Sequence, residues 1–225
     1  MINTKLIYAN IITFAFFTAI LTLFPELDLK ISGYFYDSEL GFLHRNNALV
    51  QFLFRIIPTA TKIFSLTCLL YMVYLYAKHK QAKLVLTSWA FFLFTAALIA
   101  PGLVVNTALK DNFGRARPAQ IQEFNGTKKF TPAFVMTNQC DKNCSFSSGH
   151  AAMGFYFSAI AYVAAGLYFS RIYMLTIIFG SMVGLSRIIM GGHFASDVVT
   201  SGFIILLLNH LIYLWWKKKA LKSIT

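Results

Sequence analysis

The chain has 225 residues, 57% of them hydrophobic and only 12% charged, with a formal net charge of +12 at pH 7. A soluble domain of this length carries about a quarter charged residues. The composition therefore excludes an ordinary soluble fold and points to a single integral membrane domain over residues 1–225. Nucleic-acid binding is excluded as the reading of the positive charge, because many of the lysines and arginines flank long apolar segments, as in a membrane protein.

A helix needs about 20 apolar residues to cross a bilayer. Six such runs occur in chain order: Leu6 to Phe24, ended by Pro25; Ile56 to Ala77; Leu84 to Leu109; His150 to Phe169; Ile172 to Ile189; and Asp197 to Trp216. The expected fold class is all-α, a polytopic membrane protein of six transmembrane helices. The first run follows a lysine, but it is too long for the apolar region of a signal peptide, and no clear small-residue cleavage site comes after it. A retained helix is expected there.

Charge sets the expected orientation. Lys5, the Lys78-His79-Lys80-Lys83 turn, Arg171 and the Lys217-Lys218-Lys219-Lys222 tail fall on one side of this layout. The acids Glu26, Asp28, Asp37, Glu39, Asp111, Glu123, Asp141 and Asp197 fall on the other. The positive-inside rule then puts both termini in the cytoplasm. Trp215-Trp216 ahead of the lysines reads as an interfacial aromatic anchor.

The loop from Lys110 to Ser148 contains Pro118, Gly126 and Pro132 and is expected to be irregular. Within it, Cys140 and Cys144 are too few to build a zinc site, which normally takes four ligands. A disulfide in an oxidising compartment or a pair of free thiols is left. Cys68 lies in an apolar run and reads as packing.

Three clusters carry the chemistry: Lys110 with Arg117-Pro118, Ser148-Gly149-His150, and Ser186-Arg187 with His193 and Asp197. His193 and Asp197 are spaced i and i+4, one turn apart on a helix. A carboxylate there would take the proton of one imidazole nitrogen and leave the other lone pair free to attack. The structural alternative is a helix start, with Asp197 as a capping residue. Ser148-Gly149-His150 stands just before an apolar run, where unpaired N–H groups and the helix dipole favour phosphate. A histidine there would protonate a leaving oxygen and later take a proton from water. Lys110, Arg117 and Arg187 at helix exits would offset the charge of a phosphate, and arginine forks match its oxygens in pairs. Arg115, Lys128, Lys129 and Lys142 read instead as interfacial residues with their charged ends in water. Arg55 and Lys62 are open between that reading and guiding an anionic substrate. His44, His79 and His210 lack a surrounding motif and read as structural or solvent residues.

Together the clusters resemble the signature of the type 2 phosphatidic acid phosphatase superfamily. Lys110 to Pro118 and Ser186 to Asp197 match its first and third motifs in full. In the second, Ser147 stands where proline is usual before Ser-Gly-His. The resemblance implies a phosphatase that uses no metal or other cofactor and works through a phosphohistidine. His193 would be the nucleophile, Asp197 its orienter and His150 the acid and then base. Lys110, Arg117, Arg187, Ser148 and Gly149 would bind the phosphate.

Gly114 to Pro118 and Cys140 to His150 look most like the lipid A 4'-phosphatases of Gram-negative bacteria. A membrane lipid phosphate is then the expected partner, met at the periplasmic face of the inner membrane. Undecaprenyl diphosphate and phosphatidylglycerophosphate phosphatases share the motifs and stay open as alternatives. A vanadate-dependent haloperoxidase has similar clusters but lacks the membrane embedding. A non-catalytic lipid-anion transporter would need the cations but not the paired histidines.

Overall fold

The structure, a computed structural model, describes residues 2–164 and 166–222, with the side chains of Leu167 and Lys222 left out. Lys222, counted above in the basic tail, is therefore outside the described side chains. The described chain is mostly helical. α1 (Thr4–Leu23) and the short α2 (Glu26–Gly33) are followed by a minimal antiparallel pair, β1 (Tyr36–Asp37) and β2 (Gly41–Phe42). Then come α3 (Ala48–His79), α4 (Ala82–Leu86), α5 (Trp89–Leu109), α6 (Gly149–Tyr156), α7 (Ala159–Ala164), α8 (Phe169–Ile189) and α9 (Ala195–Lys222).

Five of these, α1, α3, α5, α8 and α9, are long and apolar enough to cross a membrane. Three expected runs differ in detail. α3 begins at Ala48, eight residues' worth of chain earlier than its apolar core suggests, because Asn47 caps it by accepting from the N–H groups of Leu49 and Val50. The third run divides at Thr87–Ser88, where Ser88 caps α5 through Phe91 N–H. The fourth run is broken into α6 and α7, each too short to span alone.

The second half of α5, Leu98–Leu109, is wound as a π-helix. Pro101 lacks an N–H and cannot continue the ordinary ladder. Lys110 N–H reaches Val105 O at 3.2 Å, and Asn106 Nδ2 donates to Pro101 O at 2.8 Å, both spanning five residues. Such widened turns are frequent at functional sites. Here the turn ends on Lys110.

The core is built by close approach of small residues. α6 lies against α8 with Gly154 facing Gly180, where an added Cβ would stand 3.1 Å from the Gly180 Cα. This is the packing that apolar helices use when lipid supplies no competing hydrophobic drive. α1 and α9 run side by side in opposite directions: Tyr8 meets His210 and Phe14 meets the turn at Gly202. That brings the C-terminal end of α1, with α2, to the first turn of α9. The Lys110 end of α5, the start of α6, the Arg187 end of α8 and the start of α9 therefore share one end of the bundle. Lys5, Lys78, Lys80, Lys83, Arg171 and Lys217–Lys219 are exposed near the opposite ends of their helices.

Candidate active site

Every residue singled out from the three clusters lies at that shared end. His193 sits in the turn before α9 and is fully buried. Its Nδ1 is 2.8 Å from the Ser145 carbonyl oxygen. A carbonyl can only accept, so Nδ1 carries the proton and Nε2 of the neutral ring holds a lone pair. Nε2 is buried without a hydrogen-bond partner. Burial, with Arg117 and Arg187 nearby, holds the imidazole well below the ordinary histidine range, against the pull of Asp197. The ring is therefore neutral, with the lone pair on Nε2 unengaged.

The expected direct contact between Asp197 and His193 is replaced by another arrangement. Asp197 Oδ2 is 3.7 Å from Nδ1, beyond a hydrogen bond. The carboxylate instead accepts from Ser145 Oγ at 2.6 Å and from Phe194 N–H at 2.9 Å. The second of these is the back-bond of an acid at the third helical position to the capping residue of α9. Asp197 thus does serve as a helix-start residue, and it meets the imidazole through Ser145. The i,i+4 spacing failed to predict this because His193 precedes the helix and points from a turn.

Arg115 requires a correction. It reads in sequence as an interfacial residue, yet it is 0% exposed. Its guanidinium donates to Asp197 Oδ1 at 2.6 Å, Asp28 Oδ2 at 2.9 Å, Ser196 Oγ at 2.8 Å and, through Nε, Thr131 O at 2.7 Å. A buried guanidinium is tolerable only when paired this fully. Lys128, Lys129 and Lys142 are exposed, as expected.

Lys110, Arg117 and Arg187, the three cations of the clusters, converge. Lys110 is 9% and Arg187 4% exposed. Burial, then the fields of Arg117 and Arg187, lower the Lys110 ammonium to about 8. Like charges packed this closely call for an anion among them. Arg117 is held by the Asn143 carbonyl at 2.8 Å, and its other nitrogen lies 3.5 Å from Gly192 O. Arg187 lies over the Phe54 ring at 4.5 Å, its Nε buried without a partner. The same ring stacks on His150 at 4.7 Å, and His150 Nε2 is 3.1 Å from the Phe54 carbonyl.

Ser148 caps α6 by accepting from Ala151 N–H at 3.4 Å, and its own N–H reaches Asp197 O at 3.2 Å. That bond ties the second cluster to the third. Gly149 leaves no room for a side chain: a Cβ there would collide with Asn106 and stand 3.5 Å from Lys110 Nζ. A cavity of about 360 Å³ opens over the group, lined by Arg45, Gln51, Phe54, Arg117, Arg187 and Gly192 among others. Among the described residues, no group of three or more His, Cys, Asp or Glu is placed to hold a metal ion. Cys140 and Cys144 are paired as a disulfide in the loop behind Arg117, with Cα atoms 5.6 Å apart.

Sequence reasoning missed Asp28, Ser145, Ser196, Asn106, Phe54 and Arg45. Ser196 lies inside the third motif at a position between His193 and Asp197 that the motif leaves open, and the other five stand outside the three motifs; Asp28 and Arg45 each come from loops or elements distant in sequence. Only Arg115 had an available signal: an arginine inside the first motif, in a protein with few acids to pair it.

A buried neutral imidazole beside converging cations, at one end of an apolar bundle, is an arrangement suited to holding a phosphoryl group at a membrane. Residues 89–221 match the model of the PAP2 superfamily, and the chain belongs to that family. It is a membrane phosphatase, a phosphoric monoester hydrolase. It is 36% identical over 210 residues to the lipid A 4'-phosphatase of Francisella tularensis subsp. novicida, covering 88% of this chain and 90% of that one. The lipid A 4'-phosphatase of Rhizobium leguminosarum is 38% identical over 103 residues, 45% of this chain and 44% of its own. The lipid A 1-phosphatase of Rhizobium etli is 33% identical over 126 residues, 53% of this chain and 47% of its own. Among solved structures, a transmembrane PAP2-type phosphatidylglycerolphosphate phosphatase from Bacillus subtilis shares the fold, with a TM-score of 0.56 at 22% identity, over 93% of this chain and 96% of that one.

Proposed function

We propose that the protein removes the 4'-phosphate of lipid A at the periplasmic face of a bacterial inner membrane, without a metal, through a phosphohistidine on His193. The chemistry rests on one observation: His193 Nε2 is buried, carries the lone pair and has no partner, while Nδ1 is engaged by Ser145. The choice of lipid A rests on the 36% identity to a lipid A 4'-phosphatase across nearly the whole of both chains.

In this reading the phosphate sits among Lys110, Arg117, Arg187, Ser148 and the Gly149 backbone. Nε2 forms a bond to phosphorus, and the bond from phosphorus to the sugar oxygen breaks. His150 supplies the proton that the leaving oxygen takes up. With Nε2 of His150 turned to the Phe54 carbonyl, that proton belongs on Nδ1, and the arriving phosphate's negative charge favours the protonated ring. Water then gives a proton to His150 and attacks phosphorus. The N–P bond breaks and inorganic phosphate leaves. The cations stabilise the charge that gathers on the phosphoryl oxygens in both steps.

The membrane reading treats α6 with α7 as a sixth, broken crossing, which puts both termini in the cytoplasm by the positive-inside rule. A lipid phosphate then reaches the site from the outer leaflet of that membrane. The test is phosphate release by the purified protein in detergent with EDTA present. The substrates are lipid A, undecaprenyl diphosphate and phosphatidylglycerophosphate. Fastest turnover of lipid A supports the assignment; faster turnover of either other lipid replaces it. Binding of all three with no release by the parent would make the protein a lipid-anion carrier instead.

A further inference from the structure

We propose that Asp28 and Arg115 are positioning residues for the nucleophile: they hold the Asp197 carboxylate off the imidazole and set the negative charge that it presents to the ring. This rests on the phosphohistidine reading above and adds two residues to it.

Both oxygens of Asp197 are committed away from His193. Oδ1 takes Arg115 Nη1 at 2.6 Å, and Oδ2 takes Ser145 Oγ at 2.6 Å and Phe194 N–H at 2.9 Å. Arg115 holds Ser145 as well, since its carbonyl accepts Ser145 N–H at 2.8 Å. Ser145 is thus gripped at its N–H by Arg115 and at its hydroxyl by Asp197, and its carbonyl fixes the imidazole tautomer. Arg115 is itself fixed by Thr131 O, by Asp28 and by the Phe194 ring 4.2 Å from its guanidinium carbon. Asp28 also accepts the N–H of Ser196 at 2.9 Å and its hydroxyl at 2.5 Å. Through these bonds α2 pins the turn of α9 that carries Asp197.

The charges matter as much as the bonds. Burial, with Asp197 nearby, raises the Asp28 carboxyl above the ordinary carboxylate range, while the Arg115 guanidinium and the Ser196 hydroxyl favour its ionised form. With Asp28 ionised, one guanidinium between two carboxylates leaves a net negative charge, buried, where fields reach further than in water. When Nε2 bonds to phosphorus, the ring still carries Nδ1–H and becomes positive. The net negative charge behind it stabilises that state. Two unpaired carboxylates would instead favour a proton on Nε2 before substrate arrived, blocking attack. Arg115 keeps the balance between these outcomes, and Asp28 keeps Arg115 from cancelling Asp197 outright. The other charges around the ring are Arg187 from α8, Arg117 from the loop and, further out, Lys110.

The experiment compares Asp28→Asn, which keeps the shape and removes the charge, with the parent and with Asp28→Asn/Arg115→Gln, which restores the net charge. Each is purified in detergent, its rate referred to folded protein by thermal unfolding. For Asp28→Asn, kcat is expected to fall by about tenfold, with KM within about twofold, as for a group that stabilises charge only as the reaction proceeds. The acid limb of its rate profile should move to lower pH, because a neutral Asn disfavours the imidazolium. In the double variant the limb should return toward the parent's. Where either fails to fold, Ser145→Ala serves: it keeps the carbonyl on His193 and cuts the link to Asp197, and kcat should again fall with KM held. Parental kcat and limb in folded Asp28→Asn, or parental kcat in Ser145→Ala, would overturn the proposal. His193→Ala with full turnover would overturn the phosphohistidine reading itself, a separate result.

Discussion

The two ends of the bundle use the same basic side chains in opposite ways. At one end Lys78 lies over Tyr74 at 5.6 Å, Lys217 over Tyr213 at 6.0 Å and Lys219 over Trp215 at 4.7 Å, all exposed. Each covers an aromatic ring and keeps its charge in water, which costs little and orients helices at an interface. At the other end Lys110, Arg115 and Arg187 are buried. There the charges either find carboxylates, as Arg115 does, or crowd one another, as Lys110, Arg117 and Arg187 do. Counting cations does not separate an anchor from a clamp. The difference is desolvation and the presence or absence of a fixed partner.

The sharpest way to break this comparison lies beside the crowded cations. His193→Ala should remove turnover by on the order of 10⁴-fold or more, as for loss of a nucleophile, while inorganic phosphate still competes for the site. Hydrolysis at the parental rate would mean another group attacks. Next in size is Arg187→Lys, which keeps charge but loses the fork; kcat/KM should drop by roughly 10- to 100-fold, measured by steady-state phosphate release. An unchanged value would mean that Arg187 only packs on Phe54.

The crowding itself can be tested through pH. Since burial and its neighbours bring the Lys110 ammonium down to about 8, kcat/KM should decline as pH rises through that value and the charge is lost. Lys110→Arg should push the decline to higher pH, and a limb that stays put would assign it to another group. Replacing both Cys140 and Cys144 by Ser should lower the thermal midpoint in non-reducing buffer, by the equivalent of about 2 kcal/mol for so short a loop. The rate per folded molecule should change little, since neither sulfur lies in the cavity. Smallest of all, Lys217→Ala or Lys219→Ala should leave kcat/KM within about twofold, as exposed cation–ring contacts contribute about 0.5–1 kcal/mol. A large loss there would erase the distinction between the two ends.

Much of the site was legible because motif residues are adjacent in sequence to the helix ends that place them. Lys110 closes α5, Ser148 caps α6, Arg187 closes α8, and His193 and Asp197 open α9. The support behind them was not. Asp28 pairs with Arg115 across 87 positions, and Ser145 reaches Asp197 across 52. Asp28 in the first turn of α2 and Ser145 in the loop before α6 carry no local mark that sets them apart from other polar residues at such places. The broken fourth run was also hidden, since hydropathy records how apolar a stretch is and says nothing of whether its backbone stays helical.

The sequence alone determined that this chain lives in a membrane, where its five long apolar helices run, and which charged and imidazole groups stand at their ends. These follow from composition, apolar run length and residue chemistry, all local properties. Only the tertiary structure decided that Arg115 is buried between two carboxylates, that a serine carbonyl rather than Asp197 fixes the His193 tautomer, and that α2 packs against the turn that carries Asp197. Those outcomes depend on which helix ends meet and on how much water is left between them, and neither quantity is encoded at any single position.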